Sequence, residues 1–201
     1  VETPHASTPV MDHAAVVTCF LRHDGEVLLF RRAGDADTYP GRWGTVTGYL
    51  EHADPLASAR MEIREETGLP DVGLARRGEP FEVRDENLDR TWEIHPFLFE
   101  AGGREVRTNE ETARAEWTAP TAILRRETVP DLWASYDRVR PTHETVAADD
   151  EHGSAYLSIR ALEILRDEAA LAVERGDGIG GVHGVAEALL EARPSMAALE
   201  N

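Results

Sequence analysis

The chain has 201 residues, 38 acidic against 21 basic, and a formal net charge of −17. All 21 basic residues are arginine, and so acidic a surface argues against nucleic acid as a general partner, because that binding depends on neutralising phosphates with cationic groups. No run approaches the roughly 20 apolar residues of a membrane span, and a single cysteine cannot close an intrachain disulfide, which agrees with a reducing, cytoplasmic setting.

Val1 to Val10 is polar, without a basic start or an apolar run, so residues 1–11 are expected to be a disordered tail, not a signal peptide, with Met11 as the functional start. Ala14 to Phe20 and Glu26 to Arg31 are rich in Val, Leu and Phe and read as two strands joined through Asp24-Gly25, a strong hairpin signal. Cys19 lies inside the first of these and reads as a small buried hydrophobe. A helix follows with clear limits. Asp54 is a good N-cap, Pro55 suits the first helical position, and Gly68 stands where a left-handed residue ends a helix. Leu56, Ala59, Ile63 and Thr67 give it a core-facing stripe.

Glu62, Glu65 and Glu66 lie off that stripe at i, i+3 and i+4, positions that share one helical face. Like charges so placed repel by up to about 0.5 kcal/mol per exposed pair, and the C-terminal end of a helix disfavours anions further. A divalent cation would remove that cost. Hard oxygen ligands beside a glycine-bearing loop suit Mg²⁺, which binds a few carboxylates, keeps some waters and completes its shell with substrate phosphates.

Downstream, Thr91 to Glu100 alternates as a strand, and Arg104 to Arg107 is expected to pair with it across Gly102-Gly103. Pro141 to Gly153 is a polar, acid-rich run read as a linker. Ser154 can cap a helix in which Leu157, Ala161, Ile164, Leu165 and Ala172 keep an apolar stripe, closing at Arg175 and Gly176. After a glycine-rich turn over 176–184, Val185 to Ala192 reads as a second short helix stopped by Pro194.

Gly41 to Glu51 followed by Glu62 to Leu69 resembles the Nudix hydrolase signature, G-x5-E-x7-R-E-U-x-E-E-x-G-U with U aliphatic. Glu62, Ile63, Glu65, Glu66, Gly68 and Leu69 fill its second half without a gap. The first half departs from it: Asp54 stands for Glu with the correct five residues between it and Gly48, the run to Glu62 is one residue short, and Met61 replaces the arginine, with Arg60 displaced by one position. An ungapped register would instead place Thr47 and Ala53 at the first two positions. The flanking strands, and Glu111 ahead of Trp117 with Pro120 to Leu124 following, extend the resemblance over residues 12–140.

The resemblance implies an α+β Nudix fold, a mixed β-sheet sandwiched between helices, with a C-terminal helical extension. It implies a pyrophosphohydrolase in which activated water attacks phosphorus of a nucleoside diphosphate linked to another group. Glu62, Glu65 and Glu66 would hold Mg²⁺, with Mn²⁺ as a substitute, and one of them or Glu111 would act as general base. Arg31, Arg32 and Arg42 are candidates for the diphosphate, since guanidinium forks match phosphate oxygens. Trp43 could stack on a base or pack in the core. Gly48 would let backbone approach metal or phosphate where a side chain would block it. The expected substrate is a nucleotide or nucleotide-sugar. The other readings are a nucleotide sensor without catalysis and an isopentenyl-diphosphate-isomerase-like non-hydrolase of the same fold. The last needs a catalytic cysteine, a role that Cys19 in a core strand fits poorly.

Two pieces of residues 154–201, Ser154 to Ala161 and Glu191 to Leu199, resemble the opening helical domain of the initiation factor 2B regulatory-subunit family, which includes ribose-1,5-bisphosphate isomerase. That resemblance implies a truncated fusion or a remnant used for association, with a second copy or an initiation factor 2B-like partner, because exposed apolar helix faces need a partner. Finally, the absence of lysine beside an acid excess resembles cytoplasmic proteins of organisms that accumulate salt. At molar salt the Debye length falls to about 3 Å and most self-repulsion is screened.

Overall fold

The computed structural model describes residues 12–192. Among them one mixed sheet holds β1 (Asp12–His23), β2 (Glu26–Arg32), β3 (Trp43–Gly44), β4 (Val46–Tyr49), β5 (Val72–Arg77), β6 (Phe81–Asp85), β7 (Arg90–Ala101) and β8 (Thr112–Thr118). The helices are α1 (Pro55–Thr67), α2 (Leu132–Asp137), α3 (His143–Ala147), α4 (Ser154–Arg175) and α5 (Gly180–Ala192), with a 3-10 helix at Pro120–Arg125. The path across the sheet is β3-β2-β1-β7-β5, with β4 also on β1, β6 on β7 and β8 on β2. β1 and β7 run parallel from Asp12↔Arg90 to Arg22↔Glu100, and the other pairs are antiparallel.

The β1–β2 hairpin turns through Asp24 (φ 49°) and Gly25 (φ 77°), two left-handed residues whose twist matches that of the flanking strands. Strand alternation then sorts the apolar residues. Val17, Cys19 and Leu21 of β1, Leu28 and Phe30 of β2, and Phe97 and Phe99 of β7 pack with Ala59 and Ile63 of α1. On the opposite face Phe20, Val27, Leu29 and Leu98 meet Ile123, Leu132, Tyr136 and Val139. The sheet is thus sandwiched between α1 and the helices beyond β8.

Several expectations are corrected. Arg104 to Arg107 is not a strand, because both edges of β7 are already taken, by β1 on one side and by β5 and β6 on the other. The segment instead crosses the end of α1, where the Arg107 amide donates to the Thr67 carbonyl at 2.8 Å. Residues 141–153 contain α3, opened by a Thr142–Thr145 capping box, and Val146 is buried with Leu157, Ala161, Ile164 and Leu189. Gly153, not Ser154, occupies the N-cap of α4, and α5 starts at Gly180, so the glycine-rich turn is shorter than expected. The N-terminal tail, Pro194 and most of the second initiation factor 2B-like piece lie outside the described residues.

Part of the polar side of α4 is buried. Glu163 and Asp167 are shielded from solvent, Arg22 of β1 lies 3.5 Å from Glu163, and Arg166 donates to the Gly25 carbonyl at 2.7 Å. A network of charges therefore seats the C-terminal helices on the β1–β2 hairpin. No described helix is long and apolar enough to cross a membrane.

Candidate active site

Local rules shape α1 as expected. Asp54 accepts from the Leu56 amide at 3.0 Å, Pro55 opens the helix, and Gly68 closes it at φ 69° with its amide on the Arg64 carbonyl. Ala59, Ile63 and Thr67 face the core. That orientation leaves Glu65 exposed and Glu62 and Glu66 part-buried on the rim, beside β4.

β4 supplies the other wall. Gly48 stands opposite Val17 in the β1–β4 ladder and so on the α1 face of the sheet. A Cβ there would lie 1.9 Å from the Glu62 carboxyl carbon. Only glycine fits, and the atom that it makes room for is a glutamate carboxylate. Of the two registers open in the sequence, the packing therefore puts Gly48, not Thr47, against the first carboxylate. Thr47 acts through its backbone, whose amide donates to Glu66 Oε1 at 3.2 Å.

Burial pushes the Glu66 carboxyl up to about 8; the Thr47 amide draws it down, Glu62 and Glu111 add to the rise, and Arg32 opposes it. Glu62 is raised by burial first, then by Glu65, Glu51 and Glu111. Both carboxyls thus feel the charge of Glu111, on the loop before β8. β2–β8 pairing holds that loop: the Ala33 amide donates to the Glu111 carbonyl at 2.7 Å. Glu51 was not among the expected site residues. An acid three residues beyond Gly48 was the signal that could have found it.

The arginines separate by strand parity. Arg32 shares the face of Leu28 and Phe30 and so the side of α1, where Glu66 feels its charge. It is steadied by the Thr38 carbonyl at 2.7 Å. The loop that carries Thr38 is pinned in turn through Tyr39, whose hydroxyl donates to Asp85 and accepts from Trp92 at 3.1 Å. Arg31, one residue earlier, points to the other face and donates to the Gly41 carbonyl at 3.1 Å. Trp43, paired with Arg31, packs in the core of that opposite face under the Arg126 guanidinium at 4.1 Å. Arg42 reaches the Thr128 carbonyl at 3.5 Å. Arg31, Arg42 and Trp43 are thus not gathered with the carboxylates. Arg60 is also turned away, donating to the Val72 carbonyl at 3.0 Å and lying over Phe99.

The donor set is all oxygen, crowded, and faced by Arg32. Among the described residues no three His, Cys, Asp or Glu side chains stand together as a finished metal cage. Mg²⁺ asks for less, one or two carboxylates plus waters and substrate phosphates, and a carboxyl held near 8 by burial beside other acids is a group that a cation would relieve. The residues fit that ion. Cys19 is fully buried, its thiol pushed well up by burial and by Glu66 and Glu62, so it is no nucleophile for an isomerase-like reaction.

A model of the NUDIX domain matches residues 11–139. The nucleoside triphosphatase NudI of Escherichia coli O139:H28 is 30% identical over 125 residues, which are 57% of this chain and 87% of the relative. NudI of Shigella flexneri shows the same identity and coverage. Among solved structures, a MutT protein from Methanosarcina mazei Go1 aligns with a TM-score of 0.50 at 22% identity over 65% of this chain and 95% of that one. A NUDIX hydrolase from Nitrosomonas europaea aligns with a TM-score of 0.53 at 15% identity, covering 62% of this chain and 86% of that one.

Proposed function

This chain belongs to the NUDIX domain family, whose hydrolases cleave phosphorus-containing anhydrides, and from that premise we propose that it is a Mg²⁺-dependent nucleotide pyrophosphohydrolase. Glu62, Glu65 and Glu66 would hold the metal, which would neutralise phosphate charge and lower the pKa of the attacking water. Arg32 binds the phosphate chain from the opposite wall, its planar fork already oriented by Thr38. Glu111 approaches from a separate loop and accepts the proton as the water oxygen attacks phosphorus and the bridging P–O bond breaks. Gly48 leaves the space that Glu62 occupies. Nucleoside triphosphates are the first substrate class to try, since the NudI relatives are named for them.

The observation that carries this reading is the packing of Glu62 against Gly48 and of Glu66 on the Thr47 amide, two acids of one helix rim that both feel the charge of Glu111, while Glu66 also feels that of Arg32. The test is a substrate panel with Mg²⁺, at low and at molar KCl, covering nucleoside triphosphates, ADP-ribose, dinucleoside polyphosphates, NADH and nucleotide sugars. Turnover of at least one class, lost in Glu66→Gln, is expected. Tight nucleotide binding without turnover of any class would overturn catalysis in favour of a sensor. For the C-terminal helices, beyond the matched residues, we propose no activity from the initiation factor 2B resemblance.

A further inference from the structure

The loop between β2 and β3, residues 33–42, holds a backbone conformation that its own sequence disfavours. Tyr39 lies at φ 50°, in the left-handed region that a bulky residue seldom enters. Pro40 follows it, and a proline pushes its predecessor towards extended backbone. A residue stays in such a conformation only where its surroundings over-determine it.

Here the side chain is what is held. Trp92 Nε1 donates to the Tyr39 hydroxyl at 3.1 Å, and that hydroxyl donates to Asp85. Both anchors are themselves fixed. Asp85 is 3% exposed, and its other carboxylate oxygen accepts from the amides of Asn87 and Leu88 at 2.8 and 3.2 Å, which closes the turn between β6 and β7. Trp92 is buried in β7 with the Arg90 guanidinium 5.0 Å from its ring. Burial first, and then Asp85, push the Tyr39 hydroxyl well above its ordinary range, so it stays protonated and remains a donor.

The link to Arg32 runs through one peptide plane. The Thr38 carbonyl that accepts from Arg32 Nε at 2.7 Å belongs to the planar unit entering Tyr39, and Arg32 Nη2 reaches the Thr38 hydroxyl at 3.4 Å. The φ torsion of Tyr39 therefore decides where that carbonyl points relative to the anchored ring. A return to the usual negative φ, a turn of roughly 100° or more, would swing the carbonyl off Arg32 or the hydroxyl off Asp85. Other restraints act nearer the ends of the loop. The Arg32 amide donates to the Arg42 carbonyl at 2.9 Å and the Gly41 amide to the Ala33 carbonyl at 3.3 Å, which closes the loop without fixing the Tyr39 side chain.

We propose that Tyr39 is a positioning residue: bonded to Asp85 and Trp92, it holds the Thr38 carbonyl where that carbonyl steadies the Arg32 guanidinium, a role that bears on catalysis only through the reading of Arg32 as the phosphate ligand. The latch reaches across the sheet, since its loop leaves β2 and its anchors stand in β6 and β7.

The test follows Arg32 and turnover separately. In the free protein, Tyr39→Phe keeps the ring and removes the hydroxyl. By NMR it should speed solvent exchange of the Arg32 Nε proton about tenfold or more, while the Arg22 Nε proton, held by Glu100 at 2.9 Å, exchanges as in the parent. Asp85→Asn keeps an acceptor for the hydroxyl and should loosen Arg32 less than Asp85→Ala does. On the best nucleotide substrate, Tyr39→Phe should lower kcat/KM about 3- to 10-fold, yet less than about twofold when Arg32 is already alanine. A tyrosine that only supports the fold would give the same drop in both backgrounds. Unchanged Arg32 exchange in Tyr39→Phe, or the same drop in kcat/KM with and without Arg32, overturns the latch. Faster Arg32 exchange together with full activity of Arg32→Ala supports the latch and overturns Arg32 as the phosphate ligand instead.

Discussion

Gly48 and Glu62 occupy one space: a methyl group on Gly48 would stand 1.9 Å from the Glu62 carboxyl carbon. Gly48→Ala must therefore drive the Glu62 carboxylate off its position. The expected result is a Mg²⁺ requirement raised by about tenfold or more, the range seen when a ligand's support is lost, with the fold retained by circular dichroism. A Mg²⁺ titration of activity matching the parent's would show that Glu62 does not act from this position.

Glu66 sets a pH dependence in the metal-free protein. Its carboxyl, raised from 4.5 to about 8, holds its proton more tightly folded than unfolded. Stability from this group is thus fully present below about pH 4.5 and is lost as pH climbs to about 8. Urea unfolding in chelator across that window should show the decline, and Glu66→Gln should remove about 2–4 kcal/mol of it. A decline of the same size in the variant would mean that other groups cause it.

Arg31 and Arg32 are neighbours in sequence and lie on opposite faces of β2. Arg32→Ala should lower kcat/KM about 10- to 100-fold, the worth of a charge-assisted hydrogen bond to phosphate. Arg31→Ala, on the far face, should change it by less than about threefold. Steady-state kinetics on the best substrate of the panel decides, and equal losses would mean that the phosphates lie elsewhere.

The seat of α4 rests on buried charges. Glu163→Ala leaves Arg160 and part of Arg22 without their partner, and should cost about 2–4 kcal/mol in urea unfolding. A loss under about 0.5 kcal/mol would show that apolar contacts alone hold the helix there.

With a formal charge of −17, the chain repels itself in dilute buffer. Its melting temperature should rise steadily from low salt to molar KCl as the Debye length shrinks to about 3 Å. A flat profile in a salt series with chelator present would show that the arginine ion pairs already offset the repulsion.

What could be read along the chain was what neighbouring residues decide among themselves. The limits of α1 followed from Asp54, Pro55 and Gly68, because a cap and a left-handed terminus are matters of a few adjacent dihedrals. Asp24-Gly25 made its hairpin for the same reason. The face that carries Glu62, Glu65 and Glu66 followed from helical period alone. The amino-acid order also held the family resemblance, since its signature is a contiguous string.

The rest depended on partners distant in sequence. Arg104 to Arg107 had the composition of a strand but found both edges of β7 occupied, and strand pairing is a competition that no single segment decides. Glu51 and Glu111 joined the carboxylates only because loops and the β2–β8 ladder carry them there. The choice between Arg31 and Arg32 turned on which face of β2 meets α1, since alternate residues point opposite ways and packing alone selects the side. Local order was written in short stretches of sequence, and the surroundings of the carboxylates were decided by long-range packing, because a charge acts on whatever the fold brings near it.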